Sequence, residues 1–298
     1  MANYRDERSG QRGAALLLAL WLLLLMSGLI AVFALSARTE GLQASALRQA
    51  TAARFAAESG IEVAMLHLLT PDPLQRWVAD GRPYRFALEG YEVEVAVQDE
   101  TGKFDLNVVS IAHFSQLLQV LGVELERAEA IAAAVVDWRD GDDLLSLNGA
   151  EAPQYAAAEL PYAPRNQPFL GVAELQLVLG MDHALYRQVA PFLTVYSGEV
   201  QPRPPVAAPE VLQALGLAPE VVAELLALRG AWQPGMPPPV LPDGLALAAE
   251  GSGTYSISSR ARRTGGTALE VTAVLRAGSG GPFGQLYAPL AWRVGDPD

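Results

Sequence analysis

The densest chemistry in this sequence is acidic. Asp137-Trp138-Arg139-Asp140-Gly141-Asp142-Asp143 is followed closely by Asn148-Gly149-Ala150-Glu151. Aspartates this close in sequence repel one another unless something neutralises them. A hard cation with oxygen ligands does so, and calcium accepts roughly six to eight oxygens in flexible geometry. The candidate metal ligands are Asp137, Asp140, Asp142, Asp143 and Glu151. Asp140, Asp142 and Glu151 fall at the first, third and twelfth places of an EF-hand loop. Leu144 stands at the fifth place, however, and Leu145 stands where that loop needs glycine. The reading is therefore a calcium loop outside the EF-hand class, with a solvated acidic loop after a helix as the alternative.

A second constellation runs from Ala208 to Ala231, two short helices joined by Leu215-Gly216-Leu217. It is similar to a helix-hairpin-helix, a motif that grips DNA phosphates through glycine amides. Here Glu210, Glu220 and Glu224 surround it, Arg229 stands alone at its end, and the whole chain carries a net charge of -12. The charge thus argues against nucleic acid as a partner, and the pair reads as a packing or protein-contact module. Catalysis finds little support. His67, His113 and His183 lie far apart and outside any zinc-protease pattern, no nucleophile elbow or phosphate-cradling glycine loop is present, and there is no cysteine. Each histidine reads as a surface or cap residue.

The elements that must position the acidic block can be read from periodicity. Tyr84 to Gln98 alternates as a half-buried strand, with Tyr91, Val93, Val95 and Val97 on one face and Glu92 and Glu94 on the other. Asp99 to Asn107 reads as a turn-rich crossover. The period then becomes helical: two helices meet near Gly122, an Asp-, Asn-, Pro- and Gly-rich loop runs from Arg139 to Pro168, and two short helices cover Val172–Leu179 and Leu185–Phe192. Pro202 to Pro209 is proline-rich and expected to be extended. Alternation returns after the linker Gln233–Pro242, in Tyr255–Ser258, Leu269–Leu275 and Leu286–Arg293, with Gly265-Gly266 and Gly278–Gly284 as hairpin connections. Strands at both ends of a helical block predict one antiparallel sheet with the block inserted between its strands.

All of this follows a long apolar start. From Ala14 to Leu35 there is no charge, and a bilayer core needs ~20 residues in a helix. The helical stripe continues through Leu42, Ala46, Ala50, Ala53, Ala57, Ile61, Ala64 and Leu68 until Pro71 and Pro73, giving one helix of about 55 residues or ~80 Å. Arg5, Arg8 and Arg12 precede the run and place the leader inside and the body outside. A body exported without cysteine must hold itself by packing or by a metal.

Gly13-Ala14-Ala15-Leu16-Leu17, between a basic leader and an apolar helix, resembles the site cut by prepilin peptidase in type IV pilins and their relatives. The middle of the chain extends the resemblance. Asp99-Glu100-Thr101-Gly102-Lys103-Phe104-Asp105-Leu106-Asn107 is similar to the DE-x-G-(K/R)-x-(N/D)-LN stretch of type II secretion system minor pseudopilins of the K component. Asp137-Trp138-Arg139-Asp140-Gly141-Asp142, Asn148-Gly149-Ala150-Glu151 and Tyr155 resemble that family's DW-x-D-x-D, GAE and Tyr block. Pro161-Tyr162, Asn166-Gln167-Pro168-Phe169 and Val172-x-Glu174-Leu175 resemble its next block. Val200-Gln201-Pro202-Arg203-Pro204-Pro205 departs from the family's usual VN-x-NTA.

The resemblance implies an α+β protein: a pilin-like long N-terminal helix packed on an antiparallel sheet, with a large all-α domain inserted between strands. It divides the chain into a leader (1–13), a transmembrane part (14–35), the periplasmic half-helix and first strands (36–105), the insertion (106–242) and the remaining strands (243–298). It implies a single-pass protein of the bacterial inner membrane with its body in the periplasm. Calcium would be bound to the insertion, processing by prepilin peptidase would occur between Gly13 and Ala14, and the subunit would sit at the tip of a pseudopilus with the I and J components. Counting from Ala14, the fifth residue is Leu18. Major pilins carry a glutamate there that pairs with the amine of an adjacent subunit, and a carboxylate in lipid is tolerable only when paired. Leu18 cannot make that pair, which fits a subunit with nothing stacked above it. The alternatives are a minor pilin of a type IV pilus, used in adhesion or DNA uptake, and a membrane-anchored periplasmic enzyme. The first needs an exposed basic patch, and the second needs a nucleophile and base that the sequence does not offer.

Overall fold

The computed structural model describes residues 11–240, 247, 251–263, 266, 268–278 and 286–295. Most of the leader, and most of the expected connections at Gly265-Gly266 and Gly278–Gly284, lie outside the described residues. The first element, α1 (Gln11–Leu69), serves two units, the first ending at Ala53 and the second beginning at Arg54. In the first, the side chains from Ala14 to Leu35 are exposed throughout, and the stretch is long and apolar enough to cross a membrane.

In the second unit the same helix turns a face of small residues inward. Ala56, Ala57, Ile61, Ala64 and Met65 are buried. Gly60 sits among them where an added Cβ would lie 2.1 Å from Ser259 Oγ and 2.9 Å from Val93 Cγ1. Glycine and alanine are what allow the helix to approach the sheet this closely. The sheet is formed by β1 (Asp80–Leu88), β2 (Tyr91–Asp99), β5 (Thr254–Arg263), β6 (Ala268–Ala277) and β7 (Tyr287–Gly295), in that order and antiparallel throughout. Tyr91, Val93, Val95 and Val97 are buried, as their alternation predicts, together with Ile257, Ala261, Val271, Ala273 and Leu275. On the opposite face Arg85, Glu94, Arg260 and Glu270 stand directly across from one another on four neighbouring strands. This row of alternating charge is favourable in a cross-strand sense and keeps that face wet.

One expectation needs correction here. Tyr84 to Gln98 is not a single strand: β1 and β2 form a hairpin, reversed at Glu89 (φ 48°) and Gly90 (φ 84°). Two consecutive residues in the left-handed region are what a tight hairpin turn demands. A glutamate in the first of those places carries no sequence signal for it.

The chain leaves the sheet after β2 and returns to it only at β5. Between them lie β3 (Phe104–Asp105), α2 (Ile111–Val120), α3 (Leu125–Arg139), α4 (Ala152–Ala157), α5 (His183–Val189), β4 (Leu193–Thr194), α6 (Pro209–Ala214) and α7 (Pro219–Ala231). Val172–Leu177 is a 3₁₀ helix, and α4 sits inside the stretch read as loop. The caps are local: Ser110 Oγ accepts the His113 N–H at 3.2 Å, and Asp182 Oδ1 accepts the Leu185 N–H at 2.8 Å. Gly122 and Gly216, both with φ near +88°, close α2 and α6. The two-residue strands β3 and β4 pair in parallel and tie the two ends of the first part of the insertion. The insertion has its own core, centred on Trp138, Tyr155, Phe114, Leu117, Ile131 and Leu212. The α+β class expected from the sequence, with helices inserted between strands of one sheet, is the fold observed.

If the approach of α1 to the sheet is set by the missing side chain at Gly60, Gly60→Val should overpack that contact and cost about 1–3 kcal/mol. Gly41→Val, where an added Cβ meets nothing within 4 Å, should be close to neutral. Urea denaturation of the detergent-solubilised chain distinguishes the two, and equal midpoints would contradict the account.

Candidate metal centre

The acidic block starts at the end of α3, which delivers Asp137 into the core and leaves Asp140 as its C-terminal cap residue. Trp138 anchors that end. It is 1% exposed, and its Nε1 donates to Glu174 Oε1 at 3.0 Å. Its ring packs near Tyr155, Tyr162 and Phe169. Arg139 points the other way and donates to the carbonyls of Leu106 and Val109, the latter at 2.6 Å. Burial pulls its guanidinium below the usual range, against the opposing pull of Asp105 and Asp140. Two contacts thus hold the start of the loop, one for each side of α3.

The candidate ligands divide by what their oxygens already do. Asp137 is fully buried, and its carboxylate accepts the N–H groups of Ala150 at 2.8 Å and Ser146 at 3.3 Å. Gly149 passes so close that a Cβ there would lie 2.0 Å from Asp137 Oδ2. Asp137 therefore folds the loop around itself. Asp142 Oδ1 accepts the Leu144 N–H at 2.9 Å, and Asp143 Oδ1 accepts from Asn166 Nδ2 at 2.9 Å. Asp140 and Glu151 differ. Among the described residues, Asp140 Oδ1 and Glu151 Oε1 are buried with no hydrogen-bond partner. Glu151 is 3% exposed. Burial first, then the charges of Asp137, Asp140, Asp143 and Asp142, push its carboxyl up to about 7. Asp140 is raised as well, by desolvation and then by Asp137 and Asp142.

A further residue belongs with these. Asn166, held in the left-handed region (φ 50°), donates through Nδ2 to the Asp142 carbonyl and to Asp143, and its backbone N–H bonds to the Trp138 carbonyl. Its Oδ1 is also buried without a partner. No spacing rule connects Asn166 to the acidic block, so sequence reasoning about ligands missed it. Among the described residues no three His, Asp or Glu side chains stand already clustered as a metal cage. What the loop does provide is unpartnered buried oxygen, from two carboxylates and one amide, inside a concentration of negative charge. Buried acceptors of this kind cost free energy unless something binds them. Oxygen donors without sulfur or imidazole suit a hard cation such as calcium.

The remaining singled-out residues lie elsewhere. His113 Nδ1 is 3.1 Å from Ser110 Oγ, His183 Nδ1 is 3.0 Å from Gln176 Oε1, and His67 stacks on Trp77 with centroids 4.8 Å apart. Arg229, at the end of the helical hairpin, is buried and faces the sheet. Gly13, Ala14 and Leu18 all lie on α1, and Leu18 is exposed.

A membrane-length helix that packs its far end on an antiparallel sheet, with a mostly helical insertion carrying an acidic loop and the short β3–β4 pair, defines an α+β pilin-like fold of the inserted-domain kind. Residues 94–198 match the family model described as Type II secretion system (T2SS), protein K, the family that the sequence resembles. Type II secretion system protein K of Pectobacterium carotovorum subsp. carotovorum is 33% identical over 210 residues, covering 62% of this chain and 63% of that protein. The protein of the same name from Klebsiella pneumoniae is 34% identical over 212 residues, covering 63% and 64%. The chain thus spans a little under two thirds of the length of these relatives. A chain of the crystal structure of the GspK-GspI-GspJ complex from the enterotoxigenic Escherichia coli Type 2 Secretion System matches with a TM-score of 0.60 at 20% identity, covering 85% of this chain and 99% of that one. That match concerns the fold.

The raised Glu151 carboxyl fixes a sign. The folded chain holds this proton up to about pH 7, whereas the unfolded chain releases it near 4.5. Between those values the folded state binds more protons, so in chelator the stability should fall as pH rises from 4.5 to 7 and then level off. Glu151→Gln should remove that slope. Thermal melts across pH 4–8 in chelator test this, and an identical slope in the variant would place the titration elsewhere.

Proposed function

We propose that this protein is a minor pseudopilin of a type II secretion system, the K component, seated at the tip of the pseudopilus. In this reading it nucleates pseudopilus assembly through its helix and supports protein export across the outer membrane. It is a structural component rather than an enzyme. The observation that carries the reading is the match of residues 94–198 to the protein K family model, a stretch that runs from within β2 through the insertion to just past β4. The membrane-length helix supports a single inner-membrane anchor, with the body in the periplasm and the leader removed by prepilin peptidase between Gly13 and Ala14. The I and J components are the proposed partners, since the solved complex that this fold matches unites GspK with GspI and GspJ. Leu18 supports the tip position, because it offers no carboxylate to the amine of a neighbour. A helical insertion of this bulk would also obstruct a subunit added above.

Calcium is the proposed cofactor. Asp140, Glu151 and Asn166 would hold it through the oxygens now without partners, with Asp142 and Asp143 close by and Asp137 shaping the loop beneath. Bound calcium supplies positive charge to a loop that otherwise accumulates only negative charge. Carboxylate ligands must be ionised to bind it, so Glu151 links occupancy to pH.

Two measurements test the proposal. The mass of the chain purified from cells with prepilin peptidase should correspond to a start at Ala14, and that from cells lacking the enzyme to the unprocessed chain; an unshortened protein in both removes the pseudopilin reading. Calcium at a hundredfold excess over its Kd should add about 2.7 kcal/mol of stability. Asp140→Ala and Glu151→Gln should abolish most of that gain, and equal gains in variant and native chains would leave the loop merely solvated.

A further inference from the structure

The sheet and the insertion have separate apolar cores. None of the buried residues that form the insertion's core belongs, among the described residues, to α1, β1, β2, β5, β6 or β7. Polar contacts join the two bodies; Gln98 Nε2 donates to the Val206 carbonyl and Arg276 Nη2 to the Tyr196 carbonyl, and the ion-paired contacts concentrate at two places.

The first is the Asp99–Asp105 motif, expected from sequence as a turn-rich crossover and largely buried in the fold. Glu100, whose side chain is 2% exposed, pairs with Lys103 Nζ at 2.7 Å. The same carboxylate accepts the hydroxyls of Ser256, from β5 of the sheet, and Thr194, from β4 of the insertion. Lys103 Nζ also donates to Ser256 Oγ at 2.6 Å. On either side, Asp99 accepts the Ser252 N–H at 2.7 Å and Asp105 accepts the Gly198 N–H at 2.7 Å. One buried ion pair thus bonds to both bodies at once.

The second lies between β1 and α7. Arg82 grips Asp80 with Nε at 2.9 Å from Oδ1 and Nη2 at 2.7 Å from Oδ2. It also donates to the carbonyls of Arg229 at 2.7 Å and Trp232 at 3.1 Å, at the C-terminal end of α7 where a cation is favoured. Arg229 answers in the other direction, donating to the Asp80 carbonyl at 3.0 Å and the Ala207 carbonyl at 2.6 Å. Each arginine therefore reaches across the boundary to the backbone beside the other.

Apolar contact is non-directional, and interfaces between domains of one chain move by default unless they are large and apolar. Forked, charge-assisted hydrogen bonds hold one geometry. We propose that the Glu100–Lys103–Ser256–Thr194 node and the Asp80–Arg82–Arg229 triad are two latches that lock the helical insertion to the sheet in a single orientation, and that both are needed. The inserted domain is thereby presented as a rigid extension of the sheet.

The chain has no cysteine, so Ala87→Cys on β1 and Leu125→Cys on α3 can carry the only two spin labels. In the full-length detergent-solubilised chain, the native latches should give one narrow distance between them. Glu100→Gln with Lys103→Met, and separately Asp80→Asn with Arg229→Met, should each at least double the width of that distribution while far-UV circular dichroism stays native. A native width in either folded double variant overturns the proposal. Should a double variant lose its circular dichroism signal, Ser256→Ala stands in for the first latch and Arg82→Lys for the second. The criterion is unchanged: broadening supports the latch and a native width refutes it.

Discussion

A carboxylate taken out of water must be given donors or a cation, and this chain takes several out of water. Asp99, Glu100, Asp105, Asp137 and Glu151 are all buried, as is the side chain of Asp80. Most are answered from within. Asp99, Asp105 and Asp137 accept backbone N–H groups, Glu100 has Lys103 and two hydroxyls, and Asp80 has the fork of Arg82. Glu151 alone among these keeps a buried oxygen without any partner among the described residues, and Asp140 and Asn166, in the same stretch of loop, contribute two more. The contrast gives the acidic loop its meaning. Elsewhere the fold meets the cost of buried charge with its own donors, and here it leaves acceptors open.

The same bookkeeping explains how the two halves of the body differ. The sheet meets α1 chiefly through small side chains and a glycine, a close contact set by shape, with the Tyr287 hydroxyl donating to Glu62. The insertion has an aromatic and aliphatic core of its own and meets the sheet through ion pairs and hydroxyls. The first kind of contact supplies burial and the second supplies direction. A body made this way can carry a large appended domain without merging its core with that of the sheet.

Much of the fold was legible from periodicity. The strands β2, β5, β6 and β7, the helix pairs about Gly122 and Gly216, and the membrane-length start of α1 all follow apolar spacing, and spacing is local. The misses are instructive. The β1–β2 hairpin was hidden because Glu89 occupies a left-handed position usually marked by asparagine or glycine. The short helix α4 was hidden by proline and by its brevity, since six residues give no period to read. The 3₁₀ form of Val172–Leu177 differs from an α-helix by hydrogen bonding rather than by composition. Asn166 falls within a family-like block of sequence, yet its place beside Asp142 and Asp143 depends on a loop that returns from beyond Tyr155.

By itself, then, the order of residues determined where apolar surface lies: a greasy run long enough for lipid, alternating strands, helical stripes and an acidic block that their spacing could not pair. Those properties belong to neighbours in sequence, and so they survive without a fold. The tertiary structure decided which charges are answered and which are not. Donors for Glu100 come from Ser256 and Thr194, and the amide that steadies Asp143 comes from Asn166. Whether a carboxylate finds its donor depends on segments far apart in the chain arriving at one place, and only folding brings them there.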